Sequence, residues 1–371
     1  MRVTLVEVTD FRCYETARLE LPAGVSAVLG ANGQGKTSLL EAIAWAATGR
    51  SFRGVPDAAL VRDGAAQAVL RVAIEEMTGR TRLVEAEIRS AGRNRVLLDR
   101  HPLHRTRDLL DALRVTVFAP DDLELVKGGP SERRAYLDDL LVAAAPRYAA
   151  AHADYERVLR QRNALLKGGV RDADARTTLE IFDEQLVRAG AELVRGRLRL
   201  AARVTPSVDT AYRDLAGEAE TIDARYSAEW AEGATPDPDA VVPALHAALE
   251  RLRSRELDRG TTLVGPHRDE WRLLVDGLDS RTHASQGEQR TLALALRLGG
   301  HRVVAETIGD DPVLLLDDVF SELDDRRSAA LVEHLPATQT VVTTAGSLPP
   351  DVHPAARLRV TAGHVEPLSV S

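Results

Sequence analysis

Gly30-Ala31-Asn32-Gly33-Gln34-Gly35-Lys36-Thr37 follows the short apolar run Val25-Ser26-Ala27-Val28-Leu29. It precedes a stretch whose apolar residues, Leu39, Leu40, Ile43, Ala44 and Ala47, fall at helical spacing up to Gly49. The octapeptide fits G-x-x-x-x-G-K-[ST] in the strand–loop–helix setting that this pattern requires, which marks a loop that cradles the phosphates of a nucleoside triphosphate. Each position has a physical reason. The glycines let successive backbone N–H groups turn toward phosphate oxygens, and the following helix adds the positive end of its dipole. Lys36 is a compact charge for the β and γ phosphates, and the Thr37 hydroxyl is a ligand for Mg²⁺. Only three of the 48 lysine and arginine residues are lysines, so composition does not account for a lysine here. Arginine's wide planar fork would not fit the same hole. The expected ligand is ATP, held by Gly30, Ala31, Asn32, Gly33, Gln34, Gly35, Lys36 and Thr37, with Mg²⁺ beside it.

On the N-terminal side of this loop, Val3 to Val8 alternates like a strand. On its C-terminal side, Ala68–Ile74, Leu83–Ile88 and Arg95–Leu98 alternate too, with Gly79 and Gly92 as turn signals, and predict an antiparallel meander. From about Pro130 to Leu257 helical periodicity dominates, interrupted by a strand-like Thr221–Tyr226. Leu179, Phe182, Leu186, Ala189 and Leu193 form a heptad-like seam of about two heptads, expected to end near Gly196. That is too short to argue a coiled coil, so the reading is a helix packed in a helical lobe. After Gly260 strand and helix alternate again: Trp271–Val275 as strand, Glu288–Ala305 as helix, Val313–Leu316 as buried strand, Arg326–Leu335 as helix and Thr340–Thr343 as buried strand. The pattern predicts an α/β fold whose mixed sheet is assembled from both chain ends. Residues 1–120 and 260–371 would form the head, and 121–259 an inserted, mostly helical lobe.

A phosphate loop needs a carboxylate for its metal. Val313-Leu314-Leu315-Leu316-Asp317-Asp318 supplies two at the end of an apolar run. Asp317 is placed to approach Mg²⁺ through water, and Asp318 to orient or deprotonate the attacking water. Lys36 and Asp318 are accordingly the candidate catalytic groups, and Thr37 and Asp317 the candidate metal ligands. Ala284-Ser285-Gln286-Gly287-Glu288-Gln289 opens a helix, with Ser285 as its cap and Glu288 closing a capping box. Such a helix N-terminus, with Ser285 and Gly287, also presents donors to a phosphate. Ser321-Glu322-Leu323-Asp324 follows closely after the carboxylates.

Together the phosphate loop, the S-Q-G-E-Q signature, the double-aspartate strand and the S-E-L-D loop resemble the ATPase heads of the ABC and SMC class. In that class the signature of one subunit closes on the ATP bound by another, which implies that Ser285 and Gly287 serve a second copy of this chain. Two longer stretches, Pro120–Asp138 and Leu315–Leu331 with Arg327, resemble the RecF family, as do Gly265-Pro266-His267-Arg268-Asp269 and Asp10-Phe11-Arg12. The resemblance extends to the strand at Thr340, nearly the whole chain. It implies an ATP-closed dimer on single-stranded or gapped DNA, in replication and recombinational repair, with RecR and RecO as partners in loading the recombinase RecA. Arg133 and Arg134 have two readings, a link from nucleotide state to the helical lobe or a plain helix surface. Two departures from the broader ABC pattern imply a slow, switch-like ATPase. Transporters place Asp-Glu where Asp317-Asp318 stands, and Val341-Val342-Thr343-Thr344 ends without their switch histidine.

Composition bounds the alternatives. With 44% hydrophobic and 28% charged residues the chain is of ordinary soluble composition, no apolar run approaches the ~20 residues of a membrane span, and the N-terminus lacks a signal-peptide pattern. A single cysteine, Cys13, excludes an internal disulfide and a cysteine-based metal cage. The expected compartment is the cytoplasm. The net charge of −8 argues only mildly against DNA, because a DNA footprint is a local patch. Eight arginines with His101 and His104 lie between Arg80 and Arg107, and in a meander alternate ones would share a face along phosphates. Arg195, Arg197, Arg199 and Arg251, Arg253, Arg255 form further clusters. An SMC-type structural tether would need a longer helical arm, and the ATPase subunit of an ABC transporter would not carry the RecF-like stretch at Pro120–Asp138.

Overall fold

A computed structural model of the chain describes residues 1–103, 105–217, 220–231, 237–336 and 338–368. His104 lies outside them. The chain divides into two compact units, one of Met1–Asp122, Asp214–Ala216 and Val304–Ser371, the other of Leu123–Arg213 and Gly217–Val303.

The first unit contains two sheets. Strands β1 (Arg2–Phe11), β2 (Tyr14–Glu20), β4 (Gln67–Glu75), β5 (Thr81–Arg89), β6 (Arg95–Leu98) and β7 (His101–Pro102) form an antiparallel sheet in the order β2-β1-β4-β5-β6-β7. Strands β3 (Gly24–Leu29), β8 (Val115–Phe118), β12 (Val313–Asp317), β13 (Gln339–Thr344), β14 (Ala356–Thr361) and β15 (His364–Leu368) form the other, β15-β14-β3-β13-β12-β8. This second sheet is parallel except for its β15 edge. It is the expected mixed sheet drawn from both chain ends. The meander stands where it is predicted; β2, β8, β14 and β15 are strands that the periodicity reading passes over.

Helix α1 (Lys36–Thr48) packs on both sheets. Leu39 through Ala47 are all buried, so the helix has no polar face to spare, as expected of an element covered on every side. Its side chains share one core with Val6, Val72, Ile88, Leu315 and Val341. Both sheets are further joined by one side chain. Gln339 of β13 is fully buried; its Oε1 accepts from the Val3 amide at 2.7 Å, and its Nε2 donates to the carbonyls of Val3 and Pro22 at 2.7 and 3.0 Å. Val3 lies beside the point where the β1–β4 register shifts, between Val3 and Leu5.

The second unit contains α2 (Glu124–Lys127), α3 (Pro130–Ala144), α4 (Tyr148–Gly168), most of α5 (Ala173–Ala216), α6 (Val241–Arg259), α7 (Ser280–His283) and the first part of α8 (Gln286–Ile308). It also holds a small antiparallel sheet of β9 (Ile222–Ser227), β10 (Glu270–Val275) and β11 (Leu278–Asp279). The stretch 260–303, assigned above to the head, packs here with the helices because β10 pairs with β9 across Trp271↔Tyr226. Helix α5 runs on through Gly196 for 44 residues, since the buried Leu193, Val194, Leu200 and Val204 outweigh a single glycine's propensity. Leu179, Leu186 and Leu193 of the seam are buried within the unit. The last helix, α9 (Asp325–Glu333), returns to the first unit. Among the described residues no helix is long and apolar enough to cross a membrane.

Replacing Gln339 by leucine would remove the partner of two buried backbone groups of Val3 and of the half-buried Pro22 carbonyl. At about 1–3 kcal/mol for each unsatisfied group, Gln339→Leu is expected to lower unfolding free energy by at least about 2 kcal/mol in urea titrations. An unchanged midpoint would contradict the bridging role.

Candidate nucleotide site

The phosphate loop is the turn from β3 into α1, and its neighbours dictate its glycines. A Cβ on Gly30 would lie 2.4 Å from the Val360 carbonyl oxygen of β14. Gly35 has φ +113, and a Cβ there would meet Cys13 Sγ at 2.6 Å and the Tyr14 hydroxyl at 2.7 Å. The loop is tied from outside as well. Tyr14, fully buried, donates its hydroxyl to the Gly35 carbonyl at 3.0 Å, Gly30 N–H donates to the Thr344 carbonyl at 3.3 Å, and the Ala362 amide donates to Gln34 Oε1 at 2.6 Å. Ala31, Asn32 and Gly33 are exposed. The Lys36 ammonium is buried under the loop and donates to the carbonyls of Gly30 and Ala31 at 2.8 and 3.0 Å. Arg12 braces the far side of α1 with two 2.7 Å bonds to the fully buried Glu41.

Strands β3, β13 and β12 lie side by side and parallel, with Val28 opposite Thr343 and Thr343 opposite Asp317. Their C-terminal ends therefore bring the carboxylates to the head of α1, and Thr37 Oγ1 donates to Asp317 Oδ1 at 2.9 Å. Thr343 Oγ1 donates to the same oxygen at 2.7 Å. Burial pushes the Asp317 carboxyl above its usual range, against the two hydroxyls that favour its charge. Asp318 is in the left-handed region at φ 50, and its buried Oδ1 has no hydrogen-bond partner among the described residues. Ser321 folds back to donate to the Asp318 carbonyl at 2.7 Å, and Asp324 caps α9 by accepting the Arg327 amide at 2.8 Å.

The signature belongs to the second unit. Ser285 Oγ accepts the Glu288 amide at 3.3 Å while the Glu288 carboxylate accepts the Ser285 amide, which is the expected capping box. Those bonds from Ser285 hold Glu288 below the usual carboxylate range. Ser285 and Gln286 are exposed and Gly287 is half-buried, whereas Gln289 turns inward, donating to the carbonyls of Ser280 and Arg281 at 3.0 and 3.2 Å.

A family model described as RecF/RecN/SMC N terminal domain matches residues 2–347. The DNA replication and repair protein RecF of Kineococcus radiotolerans is 45% identical, over 98% of each chain. The chain belongs to the RecF family. The Streptomyces avermitilis protein of the same description is 44% identical over 99% of this chain and all of that one. A solved structure of the recombination mediator protein RecF with ATP, in the RecFOR pathway, is 30% identical with a TM-score of 0.92, covering 99% of this chain and 97% of that one. An Smc head from Pyrococcus furiosus, 16% identical with a TM-score of 0.57, shares the fold.

Two of the RecF-like stretches, Leu123–Asp138 and Gly265–Asp269, meet inside the second unit. Arg133, nearly buried, donates to Glu270 at 2.8 Å and to the carbonyls of Leu125 and Gly128, and Arg134 donates to the Asp269 carbonyl at 2.8 Å. Neither is a plain surface residue. Arg197 grips Asp138 with two 2.7 Å bonds and reaches the Pro266 carbonyl. Burial works against the Asp138 carboxylate, yet its contacts with His152 and Arg197 keep it below the usual range. Asp269 accepts from Tyr226 and Trp230, and burial pushes it up to about 6. His267 faces the Tyr155 hydroxyl at 2.6 Å and is pushed down to about 4 by burial.

Of the eight arginines between Arg80 and Arg107, four are paired with acids among the described residues. Arg80 and Arg82 both meet Asp99, Arg82 also meets Glu76, and Arg89 and Arg95 both meet Glu87. Arg82 also lies on the opposite face from Arg89, with the buried Val84, Ala86 and Ile88. In the other clusters Arg197 is buried and Arg253 faces Asp183.

Breaking a buried ion pair leaves an uncompensated charge, at a cost of about 3–5 kcal/mol. Arg197→Met is therefore expected to lower unfolding stability by about that much. Denaturation curves that coincide with those of the unsubstituted chain would contradict a structural role for the Arg197–Asp138 pair.

Proposed function

We propose that the chain is an ATP-dependent DNA-binding protein of replication and recombinational repair, in which ATP closes a dimer on DNA. The observation that carries this reading is the hydrogen bond between Thr37 and Asp317, which couples the phosphate loop to the carboxylate strand. Thr37 and Asp317 offer two hard oxygens, and among the described residues no group of three His, Cys, Asp or Glu gathers anywhere. That donor set suits Mg²⁺, which keeps waters and takes its other ligands from phosphate. When bound there, Mg²⁺ would neutralise charge on the β and γ phosphates.

The chain's own residues account for the rest. The amides of the loop and the first turn of α1 would hold phosphate oxygens, and Lys36 would leave the carbonyls of Gly30 and Ala31 for the β and γ phosphates. Asp318 would take a proton from the attacking water through its unpaired oxygen. Ser285 and Gly287 of a second copy would complete the phosphate shell, consistent with the exposure of that helix end. Hydrolysis then removes the group that both copies share, so a slow ATPase acts as a release switch. Kinship to the RecF proteins supports DNA, in single-stranded or gapped form, and RecR and RecO as partners in recombinase loading. The tether and transporter readings have no comparable support.

Lys36→Ala is expected to abolish ATP binding in calorimetric titration while leaving the melting temperature of the ligand-free chain little changed. Normal affinity in that variant would remove the site assignment. DNA affinity in the presence of ATP should fall linearly and steeply in a plot of log K against log salt. A flat plot would count against phosphate-backbone contacts.

A further inference from the structure

Transporter relatives place a switch histidine at the end of the strand that is β13 here, and this chain has threonine. Thr343 is fully buried and stands opposite Asp317 in the parallel register. Its Oγ1 donates to Asp317 Oδ1 at 2.7 Å and accepts the backbone N–H of Asp318 at 3.0 Å. That N–H also reaches the Thr343 carbonyl at 3.2 Å. A hydroxyl carries a single proton, so giving it to Asp317 fixes the direction of both bonds. Asp317 Oδ1 thereby receives two hydroxyls, one from β13 and one from Thr37 at the head of α1. At Asp318 the effect is on the backbone. The residue has φ 50 and ψ 28, a left-handed conformation uncommon outside glycine, though Asp tolerates it better than most, and it is favoured further where neighbours hydrogen-bond the turn. Both oxygens of Thr343 do so, and in that conformation Asp318 keeps one buried carboxylate oxygen without a partner.

We propose that Thr343 is a positioning residue for ATP hydrolysis, one hydroxyl that orients the Asp317 carboxylate and holds Asp318 in its left-handed turn. The inference rests on the assignment of Asp317 and Asp318 to an ATP site. It places on a strand-end hydroxyl the coupling between consecutive carboxylates that have different tasks, one for the metal and one for water. Its action is on the chemical step. The loop amides and Lys36, which bind the phosphates, touch neither oxygen of Thr343 among the described contacts.

The test is single-turnover hydrolysis of radiolabelled ATP with Mg²⁺ by the full chain, in unsubstituted, Thr343→Val and Thr343→Ser forms, with ATP dissociation constants and melting temperatures from the same preparations. Valine keeps the volume and removes the hydroxyl; serine keeps the hydroxyl and removes the methyl. The expected result is a fall of about tenfold or more in the hydrolysis rate for Thr343→Val, with ATP affinity within about threefold and Thr343→Ser within about threefold of the unsubstituted rate. Should the valine variant fail to fold, Thr343→Ala carries the same comparison with serine. Hydrolysis by Thr343→Val at the unsubstituted rate would overturn the proposal, and so would Thr343→Ser as slow as Thr343→Val, which would assign the effect to packing. Failure of the unsubstituted chain to bind ATP is a separate outcome that removes the nucleotide site, and this inference with it.

Discussion

The bond from Thr37 Oγ1 to Asp317 Oδ1 joins residues 280 positions apart, and much of the first unit serves to make it possible. It requires β3, β13 and β12 to lie in parallel register, with Val28, Thr343 and Asp317 in line. Parallel strands need both faces covered, and α1, buried from Ser38 to Ala47, covers one of them while carrying Lys36 and Thr37 at its start. A one-residue slip of β12 would turn Asp317 to the other face. Val313 to Leu316 are buried on both faces and would not by themselves resist such a slip; the bonds of Thr37 and Thr343 to Asp317 do.

Residues that mark this family therefore divide by the physics that keeps them. Those of the phosphate loop and the carboxylate strand present donors and acceptors, among them Thr37 and Asp317, the pair proposed for Mg²⁺. Those of Pro120–Asp138 and Gly265–Asp269 form a buried polar network in the second unit, in which Arg133, Arg134 and Arg197 satisfy carboxylates and loop carbonyls. Such a network is costly to leave half-satisfied. Its members are specific because the geometry admits few substitutes, and none of them needs a reaction to explain its presence.

What was legible in the amino-acid sequence is what local chemistry dictates. The phosphate loop, the Ser285–Glu288 capping box and the apolar runs of β12 and β13 each announce themselves within a few residues. Thr343 and Tyr14 do not, because a threonine in a strand and a tyrosine in a core become informative only when register places them against Asp317 and Gly35. Strand β14 had a signal in the alternation of Leu358 and Val360. Its partner β15 is short and carries Pro367, which argues against a strand when read alone. The pairing of Arg80, Arg82, Arg89 and Arg95 is hidden from the sequence for a related reason. Their partners Glu87 and Asp99 lie within the same segment, but the folding of the meander decides which of those charges meet. The assignment of 260–303 failed likewise, since the pairing of β10 with β9 is a non-local fact.

The central claim is that the loop at Gly30–Thr37 is half of a site, completed by Ser285 and Gly287 of another copy, so that ATP acts as a clasp. The most direct measurement is the particle mass in solution by light scattering, with and without saturating ATP and Mg²⁺, for the unsubstituted chain and for Ser285→Arg. The account predicts that ATP doubles the mass of the unsubstituted chain and leaves Ser285→Arg monomeric although it still binds ATP. A monomer at nucleotide saturation, or an ATP-induced dimer of Ser285→Arg, would contradict it.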